Sequence, residues 1–280
     1  MNLAAILRRV WPRDVVSADA PAPGLDLPGP FPPIYAVGDI HGEVALYRQL
    51  ERRILADRAT RFGDRPALVV ILGDMIDRGP DSAGLIDFLL APAPRGLRRL
   101  CLMGNHEQMA LAFLTAPDPR AAWLDHGGAQ TLASYGIVPD PRHGYRMPAR
   151  RLRALVAAHV PPAHLAFLRG LPAWLWAGHF FCHAGTAPDR SLTRQSLGTL
   201  LWSRGFDDPS LPAPADLGGA LVVHGHMPQP RAVQRGWRIN VDSGACATGR
   251  LSAVRLVAGD EPAFLIAEHG PAPVPACCCA

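Results

Sequence analysis

Three apolar runs of the sequence each end in a glycine that is followed by side chains with oxygen or nitrogen ligand atoms. The runs stop at Gly38-Asp39-Ile40-His41, at Gly73-Asp74 and at Gly104-Asn105-His106. A carboxylate at the end of a buried strand is costly unless it binds a metal or an opposite charge. Ligands also bind at the carboxyl ends of strands in open α/β sheets. The three stretches therefore predict a metal site, and Arg78, four residues after Asp74, predicts that an anion binds there too.

The elements that must carry these residues alternate between strand and helix. The runs 34–37, 68–72 and 98–103 are short and largely apolar, as expected of buried strands, and they recur about 30 residues apart, as βαβ units require. Helices are predicted at 43–58, 81–90 and 106–114. This alternation predicts a parallel sheet with crossover helices.

The second half of the chain has a different pattern. Residues 115–170 contain short helical pieces, such as 151–160, broken by proline and glycine, and they predict a cap-like insert in which substrate selectivity would be set. From residue 174 onward, short strands predict a second sheet, with a tight antiparallel turn at Arg235-Gly236. These strands are expected at 174–177, 180–183, 221–224, 232–234, 237–241, 251–257 and 263–267. The periodicity alone supports a mixed α/β fold.

Together with His183-Ala184-Gly185 and Gly225-His226, the three motifs give the chain a family resemblance over residues 34–257. It resembles the calcineurin-like metallophosphoesterases, and within them the PPP-type serine/threonine protein phosphatases of the bacterial and phage branch. The resemblance implies a two-sheet α/β/β/α metallophosphoesterase sandwich with the motif loops at one edge.

The resemblance also implies two divalent metal ions, for which Mn is favoured and Fe or Zn are alternatives, since no thiolate takes part. Asp74 would bridge both ions. Asp39 and His41 would complete the ligands of the first ion, and Asn105, His183 and His226 those of the second. The neighbouring His224 is interpreted as a packing or supporting residue.

Four further residues receive roles from the same resemblance. His106 would protonate the leaving oxygen, because an alkoxide is a poor leaving group. Asp77 would orient His106, although a helix cap or a turn is an alternative role for Asp77. Arg78 and Arg204 would bind the phosphate, with Asn105 beside them, because the guanidinium fork matches two phosphate oxygens. The assignment of Arg204 depends on a shorter motif, so Arg204 could instead be a surface arginine without a role in the site.

The function implied is hydrolysis of phosphoserine or phosphothreonine in proteins, with phosphotyrosine as a further substrate, by attack of a metal-bridging hydroxide. His183-Ala184-Gly185 departs from the His-Gly-Gly of eukaryotic members, and their Ser-Ala-Pro-Asn-Tyr-Cys stretch is absent. Protein specificity therefore stays open against two alternatives. One is a symmetrical diadenosine-tetraphosphate hydrolase, and the other is a metal-dependent scaffold without turnover.

The insert and the segment near the C-terminus contain further residues with counterparts in the family. Asp242 is interpreted as structural. A segment that resembles bacterial members is interpreted as packing of the insert and comprises Trp123, Gly127, Gly128, Thr131, Leu132, Ser134, Tyr135 and Gly136.

Composition limits the compartment and the partners. The 280 residues carry a formal net charge of +4, which fits an acidic or phosphorylated substrate, and there is no long basic run of the kind that binds nucleic acid. The resemblance implies a phosphoprotein or phosphopeptide partner. No uncharged run of membrane-spanning length occurs. Six cysteines without paired spacing favour the cytoplasm.

The chain is predicted to divide into three parts. These are a tail and proline-rich linker at 1–33, with an amphipathic stretch at 3–11, a metallophosphoesterase domain at 34–268, and a C-terminal tail at 269–280 that ends in Cys277, Cys278 and Cys279. The sequence leaves the oligomeric state open.

Overall fold

The computed structural model of the protein describes residues 20–140, 144–145 and 147–269. Its strands form two mixed sheets. In chain order the strands are β1 (Gly24–Asp26), β2 (Ile34–Val37), β3 (Ala67–Ile71), β4 (Leu97–Cys101), β5 (Trp174–Trp176), β6 (Phe180–Cys182), β7 (Val222–His224), β8 (Val233–Arg235), β9 (Arg238–Asn240), β10 (Arg250–Leu256) and β11 (Ala263–Glu268).

The helices lie mainly between the strands of the first sheet and in the insert. They are α1 (Val44–Phe62), α2 (Ser82–Leu90), α3 (Asn105–Thr115), α4 (Gly128–Ser134), α5 (Ala149–His159), α6 (Pro162–Arg169), α7 (Leu197–Trp202) and α8 (Ala245–Thr248), with 3₁₀ helices at Ala122–His126 and Leu192–Arg194. The predicted helices of the first half are all present, with ends shifted by a few residues.

The first sheet has the strand order β11-β10-β2-β3-β4, and the second has the order β1-β5-β6-β7-β9-β8. In the first sheet β2, β3 and β4 run parallel, as the βαβ pattern predicts. In the second sheet β6, β7 and β9 run parallel, and β8 and β9 form the predicted antiparallel pair around Gly236. The carboxyl ends of these parallel strands are the positions from which the motif residues extend.

The sheets pack face to face, because side chains alternate along each strand. Ile34 and Ala36 of β2 share an apolar cluster with Val223 of the second sheet. Tyr35, which alternates with them, belongs to the cluster on the other face with Leu50 of α1. The predicted two-sheet α/β/β/α metallophosphoesterase sandwich is thereby confirmed.

Two details of the sheet prediction are wrong. β10 and β11 were expected in the second sheet but belong to the first, where β10 pairs with both β2 and β11. β10 is buried at every residue but the first, so its apolar side chains suit a position between two strands. The stretch predicted to be a linker contains β1, which pairs with β5 ahead of Ile34.

Several features singled out in the sequence lie at the ends of the chain. The stretch 3–11 and Cys277, Cys278 and Cys279 lie outside the described residues. Within the described ranges, Cys182 is buried, and Cys101 and Cys246 are half-buried free thiols. No helix in this part of the chain combines the length and hydropathy needed to cross a membrane.

Candidate functional site

The predicted metal ligands all lie just beyond the carboxyl ends of parallel strands. Asp39 and His41 follow β2, Asp74 follows β3, Asn105 begins α3, His183 follows β6 and His226 follows β7. His226 is half-buried and the others are buried. Both sheets therefore contribute to one cluster.

One group of ligand atoms surrounds His183. Its Nε2 lies 2.9 Å from Asn105 Oδ1, 3.1 Å from His226 Nδ1 and 3.4 Å from Asp74 Oδ1. His226 Nδ1 also lies 3.1 Å from Asn105 Oδ1. Atoms that bind one zinc-like ion at about 2.0–2.2 Å lie about 3 Å from each other. These four atoms therefore fit a single divalent ion.

A second group lies on the other side of Asp74. His41 Nε2 is 3.7 Å and His106 Nε2 is 3.8 Å from Asp74 Oδ2. Asp74 presents Oδ1 to the first group and Oδ2 to the second, as a bridging ligand would. Asp39 belongs to neither group of mutually close ligand atoms among the described residues. Its carboxylate accepts the backbone N–H of His226 at 3.2 Å.

The tautomers of two histidines follow from their hydrogen bonds. His41 Nδ1 donates to the carbonyl of Ile76 at 2.8 Å, and His183 Nδ1 donates to the carbonyl of Leu72 at 3.1 Å. The lone pair of each ring is consequently on Nε2, which faces the cluster, an arrangement common among metal-binding histidines. Burial, assisted by neighbouring histidines, lowers the pKa of both rings well below its usual value, so both are neutral at neutral pH.

The buried acids also suit a cation. Burial and the charges of Asp242 and Asp74 raise the pKa of Asp39 well above its usual value. Burial and the charge of Glu107 do the same for Asp74. A divalent ion would offset this concentration of negative charge, which is expensive to bury alone. His226 Nε2 is buried and lacks a hydrogen-bond partner within the described part of the chain.

The backbone is strained at the site. Within the described ranges, the residues other than glycine that have positive φ are His41 (48°), Asp74 (47°), Asp77 (73°), Arg78 (65°) and His226 (71°). Each such conformation costs about 1–3 kcal/mol and persists only where surrounding contacts impose it. All five were selected from the sequence as site residues.

Glu107, which directly follows the Gly104-Asn105-His106 motif and received no role in the sequence analysis, holds the backbone in place at Asp74. Its fully buried carboxylate accepts the backbone N–H groups of Asp74 (2.9 Å), Met75 (2.8 Å) and Gly104 (2.8 Å). It thereby ties the loop after β3 to the start of α3. The signal that could have found it is an acid in the first turn of a helix next to a glycine N-cap.

His106 and Asp77 form a close pair. His106 Nδ1 lies 2.7 Å from Asp77 Oδ2, and His106 Nε2 faces Asp74. Burial and the charge of Arg78 lower the pKa of His106, and the bond to a carboxylate opposes that shift because it favours the protonated ring. The cap of α2 is Asp81, whose Oδ1 accepts from Gly84 N at 2.8 Å, so Asp77 is not that cap.

Two residues interpreted as packing also bind Asp77. Trp123 Nε1 donates to Asp77 Oδ2 at 2.7 Å, and Thr131 Oγ1 donates to Asp77 Oδ1 at 2.6 Å. Burial raises the pKa of Asp77 to about 7, and these two bonds act in the opposite direction. The packing interpretation of Trp123 and Thr131 was therefore incomplete.

Both predicted phosphate-binding arginines are exposed. Arg78 Nη1 lies 2.9 Å from His41 Nε2, at the edge of the second ligand group. Arg204 follows α7. Burial, and next to it the charge of Arg204, lower the pKa of His226 to about 4. The Arg78 guanidinium thus lies next to the second ligand group, and the charge of Arg204 acts on His226 in the first.

The loop that carries Arg204 is anchored to the second sheet. Arg238 donates to the carbonyls of Phe206 and Asp208, and Asn240 Nδ2 donates to Asp207 Oδ2 at 2.8 Å. His224 packs its ring against Phe206, with ring centroids 4.9 Å apart, in line with a supporting position.

The fold is that of a metallophosphoesterase, and the cluster offers candidate metal ligands. The family model for calcineurin-like phosphoesterases matches residues 32–254. The chain belongs to the calcineurin-like phosphoesterase family.

The relatives divide between two activities. Serine/threonine-protein phosphatase 1 of Salmonella typhimurium is 40% identical over 95 residues, which cover 34% of this chain and 38% of that protein. The asymmetrical bis(5'-nucleosyl)-tetraphosphatase PrpE of Geobacillus thermodenitrificans is 26% identical over 226 residues, which cover 78% of this chain and 88% of that protein. A crystal structure described provisionally as a diadenosine tetraphosphatase superposes with a TM-score of 0.58 at 22% identity, covering 89% of this chain and all of that one.

Proposed function

We propose that this chain is a dinuclear-metal phosphomonoesterase that dephosphorylates phosphoserine and phosphothreonine in proteins, and phosphotyrosine as a further substrate. The observation that carries the proposal is the position of Asp74 between two groups of ligand atoms, with His106 Nε2 facing it. The family membership supports the phosphoesterase chemistry, and the local identity to a serine/threonine-protein phosphatase supports the substrate.

Different site residues would bind the metal ions and the phosphate. Asp39, His41, Asp74, Asn105, His183 and His226 would hold two divalent ions, with Mn favoured. Bound ions supply an acidified water and neutralise charge on the phosphoryl oxygens. Arg78 and Arg204 would hold those oxygens in the bidentate manner of guanidinium groups, and Asn105 would lie beside them.

His106 would complete the reaction at the leaving group. As the bond between phosphorus and the serine or threonine oxygen breaks, that oxygen takes the proton from His106 Nε2. Asp77 keeps the ring oriented through Nδ1 at 2.7 Å. General acids in such positions contribute typically about 10²- to 10⁴-fold to the rate.

The length of the match to a known relative favours a second function. The PrpE relative matches most of both chains, whereas the phosphatase relative matches about a third of each. Hydrolysis of a dinucleoside tetraphosphate is therefore the alternative substrate class, with asymmetrical cleavage as in that relative's name or the symmetrical cleavage considered from the sequence.

The test compares both substrate classes on metal-reconstituted protein. We expect chelation to abolish turnover, Mn²⁺ to restore it best among divalent ions, and kcat/KM for phosphoserine and phosphothreonine peptides to exceed that for diadenosine tetraphosphate by at least about 10-fold. An Asp74→Asn sample prepared in parallel controls for contaminating phosphatases. The opposite preference would assign the dinucleotide activity, full turnover by verified metal-free protein would reject the dinuclear mechanism, and loaded protein inactive on both would indicate a scaffold.

A further inference from the structure

Residues of the insert form hydrogen bonds with one carboxylate at the centre of the site, that of Asp77. Asp77 lies in the loop after β3, whereas Trp123 and Thr131 come from the 3₁₀ helix Ala122–His126 and from α4. These partners are 46 and 54 residues away in sequence, and both donate directly to the Asp77 side chain. The insert therefore does more than cover the site from outside.

The donors account for both oxygens of Asp77. Oδ1 accepts from Thr131 Oγ1 at 2.6 Å, and Oδ2 accepts from both Trp123 Nε1 and His106 Nδ1 at 2.7 Å. The Asp77 backbone N–H also donates to Thr131 Oγ1 at 2.9 Å and to Ser82 Oγ at 3.0 Å. With φ at 73° and the residue fully buried, these bonds fix both the backbone and the side-chain rotamer.

Packing alone does not account for this arrangement. The Trp123 ring does pack against Phe113, with centroids 4.7 Å apart, and any large apolar side chain could fill that space. The indole N–H, however, points at the same oxygen that His106 uses. If Trp123 or Thr131 released Asp77, the carboxylate could rotate, and the His106 ring would lose the contact that directs its Nε2 toward Asp74.

We propose that Trp123 and Thr131 are positioning residues for the Asp77–His106 pair, so that the insert takes part in proton donation to the leaving oxygen. This rests on the proposed role of His106 as the group that protonates that oxygen. The two residues act through Asp77 and do not touch the reacting atoms themselves. Their influence should appear only where the leaving group needs a proton.

Two phosphate monoesters separate this role from a structural one. Nitrophenolate leaves without a proton, whereas the alkoxide of glycerol 2-phosphate does not. We expect Thr131→Val and Trp123→Phe to lower kcat on glycerol 2-phosphate by about 10-fold or more, in the range seen when a group supporting a site residue is removed, and to leave kcat on p-nitrophenyl phosphate within about threefold of wild type. Metal content should remain full.

Matched variants make the comparison specific. Thr131→Ser keeps the hydroxyl and should restore the wild-type ratio of the two rates. Trp174→Phe removes another buried indole bond, the one from Trp174 Nε1 to the Ala22 carbonyl at 2.9 Å in the second sheet, and should change neither rate. Because Thr131 and Trp123 lie on different elements, either variant can decide the question if the other does not fold.

The outcomes distinguish this proposal from the proposed function. Equal losses on the two esters, or no loss on either, would overturn the positioning role while wild-type activity on phosphopeptides stands. If instead the wild type prefers dinucleotides to phosphopeptides, the proposed substrate is wrong, and the ratio of the two small esters still reports on Trp123 and Thr131.

Discussion

The histidines of the site differ in where their Nδ1 protons go. His41 and His183 donate to backbone carbonyls, whereas His106 donates to the carboxylate of Asp77. A carbonyl orients a ring, and a carboxylate in addition stabilises the protonated ring. This contrast supports two different roles, with lone-pair ligands in one case and a proton carrier in the other.

The contrast predicts separate phenotypes for His106 and the ligand histidines. His106→Asn should keep both metals. Its rate of phosphoserine hydrolysis should fall by about 10²-fold or more, and its rate on p-nitrophenyl phosphate should fall by less. Asp77→Asn should show a milder version of the same pattern. Metal stoichiometry and both rates are measured for each variant.

The ligand variants serve as the comparison. His183→Asn and His226→Asn should lose metal and slow both substrates alike. His106 and His41 lie at similar distances from Asp74 Oδ2, 3.8 and 3.7 Å. A metal-depleted His106→Asn protein would consequently assign His106 to the ligands instead.

The arginines give a second prediction at the residue scale. Arg78→Ala and Arg204→Ala should each lower kcat/KM with full metal content, because a charge-assisted contact contributes about 1.5–3 kcal/mol, or about 10- to 100-fold. Steady-state kinetics and metal analysis check this. Arg153→Ala, an exposed arginine on α5, is the control, and wild-type kinetics for Arg204→Ala would mean that a different group binds the phosphate.

At the scale of elements, the strand ends were predictable and the long-range contacts were not. Apolar runs that stop at Gly-Asp or Gly-Asn locate the carboxyl ends of β2, β3 and β4, because burial determines both their composition and their length. The bonds from Trp123 and Thr131 to Asp77 depend on how the insert folds back over α2. A local pattern contains no information about such a contact.

The attachment of α1 to the first sheet gives a prediction about stability. Asp57 accepts from Tyr35 at 2.7 Å and from Arg255 at 2.9 Å. Burial raises its pKa, but these hydrogen bonds, with one from Arg61, hold the pKa below its usual value. The contribution of ionised Asp57 to the free energy of unfolding is therefore fully present above the usual pKa of an aspartate, near 4. It is lost as the pH falls through the pKa of Asp57 in the folded state.

Asp57→Asn should accordingly lower the free energy of unfolding by about 1–3 kcal/mol at pH 7. The difference from wild type should shrink as the pH falls below about 4. Urea unfolding across pH measures it, with the exposed Asp64→Asn as control. A difference that does not vary with pH would show that the charge of Asp57 is not what holds α1.

At the scale of the whole molecule, the site exists because two sheets meet. His226 of the second sheet donates its backbone N–H to Asp39 of the first, 187 residues away. Gly225 makes this approach possible, since a Cβ there would overlap Asp39 Oδ1. The sequence could predict each strand end, but not that β10 and β11 would complete the first sheet, because sheet membership depends on pairing between distant strands.

Because the proposed ligands come from both sheets, metal binding should stabilise the entire fold. At a Mn²⁺ concentration about 100 times the dissociation constant, linkage gives about 2.7 kcal/mol, and Tm should rise by about 5 °C for a chain of this size. The rise should become smaller as the pH is lowered, because Asp39 and Asp74, whose pKa values are raised by burial, must lose their protons to bind the ion. Thermal unfolding monitored by circular dichroism measures this without any substrate. Asp74→Asn should abolish the shift and the exposed Asp125→Asn should retain it, so an equal shift in both variants would locate the bound ion away from Asp74.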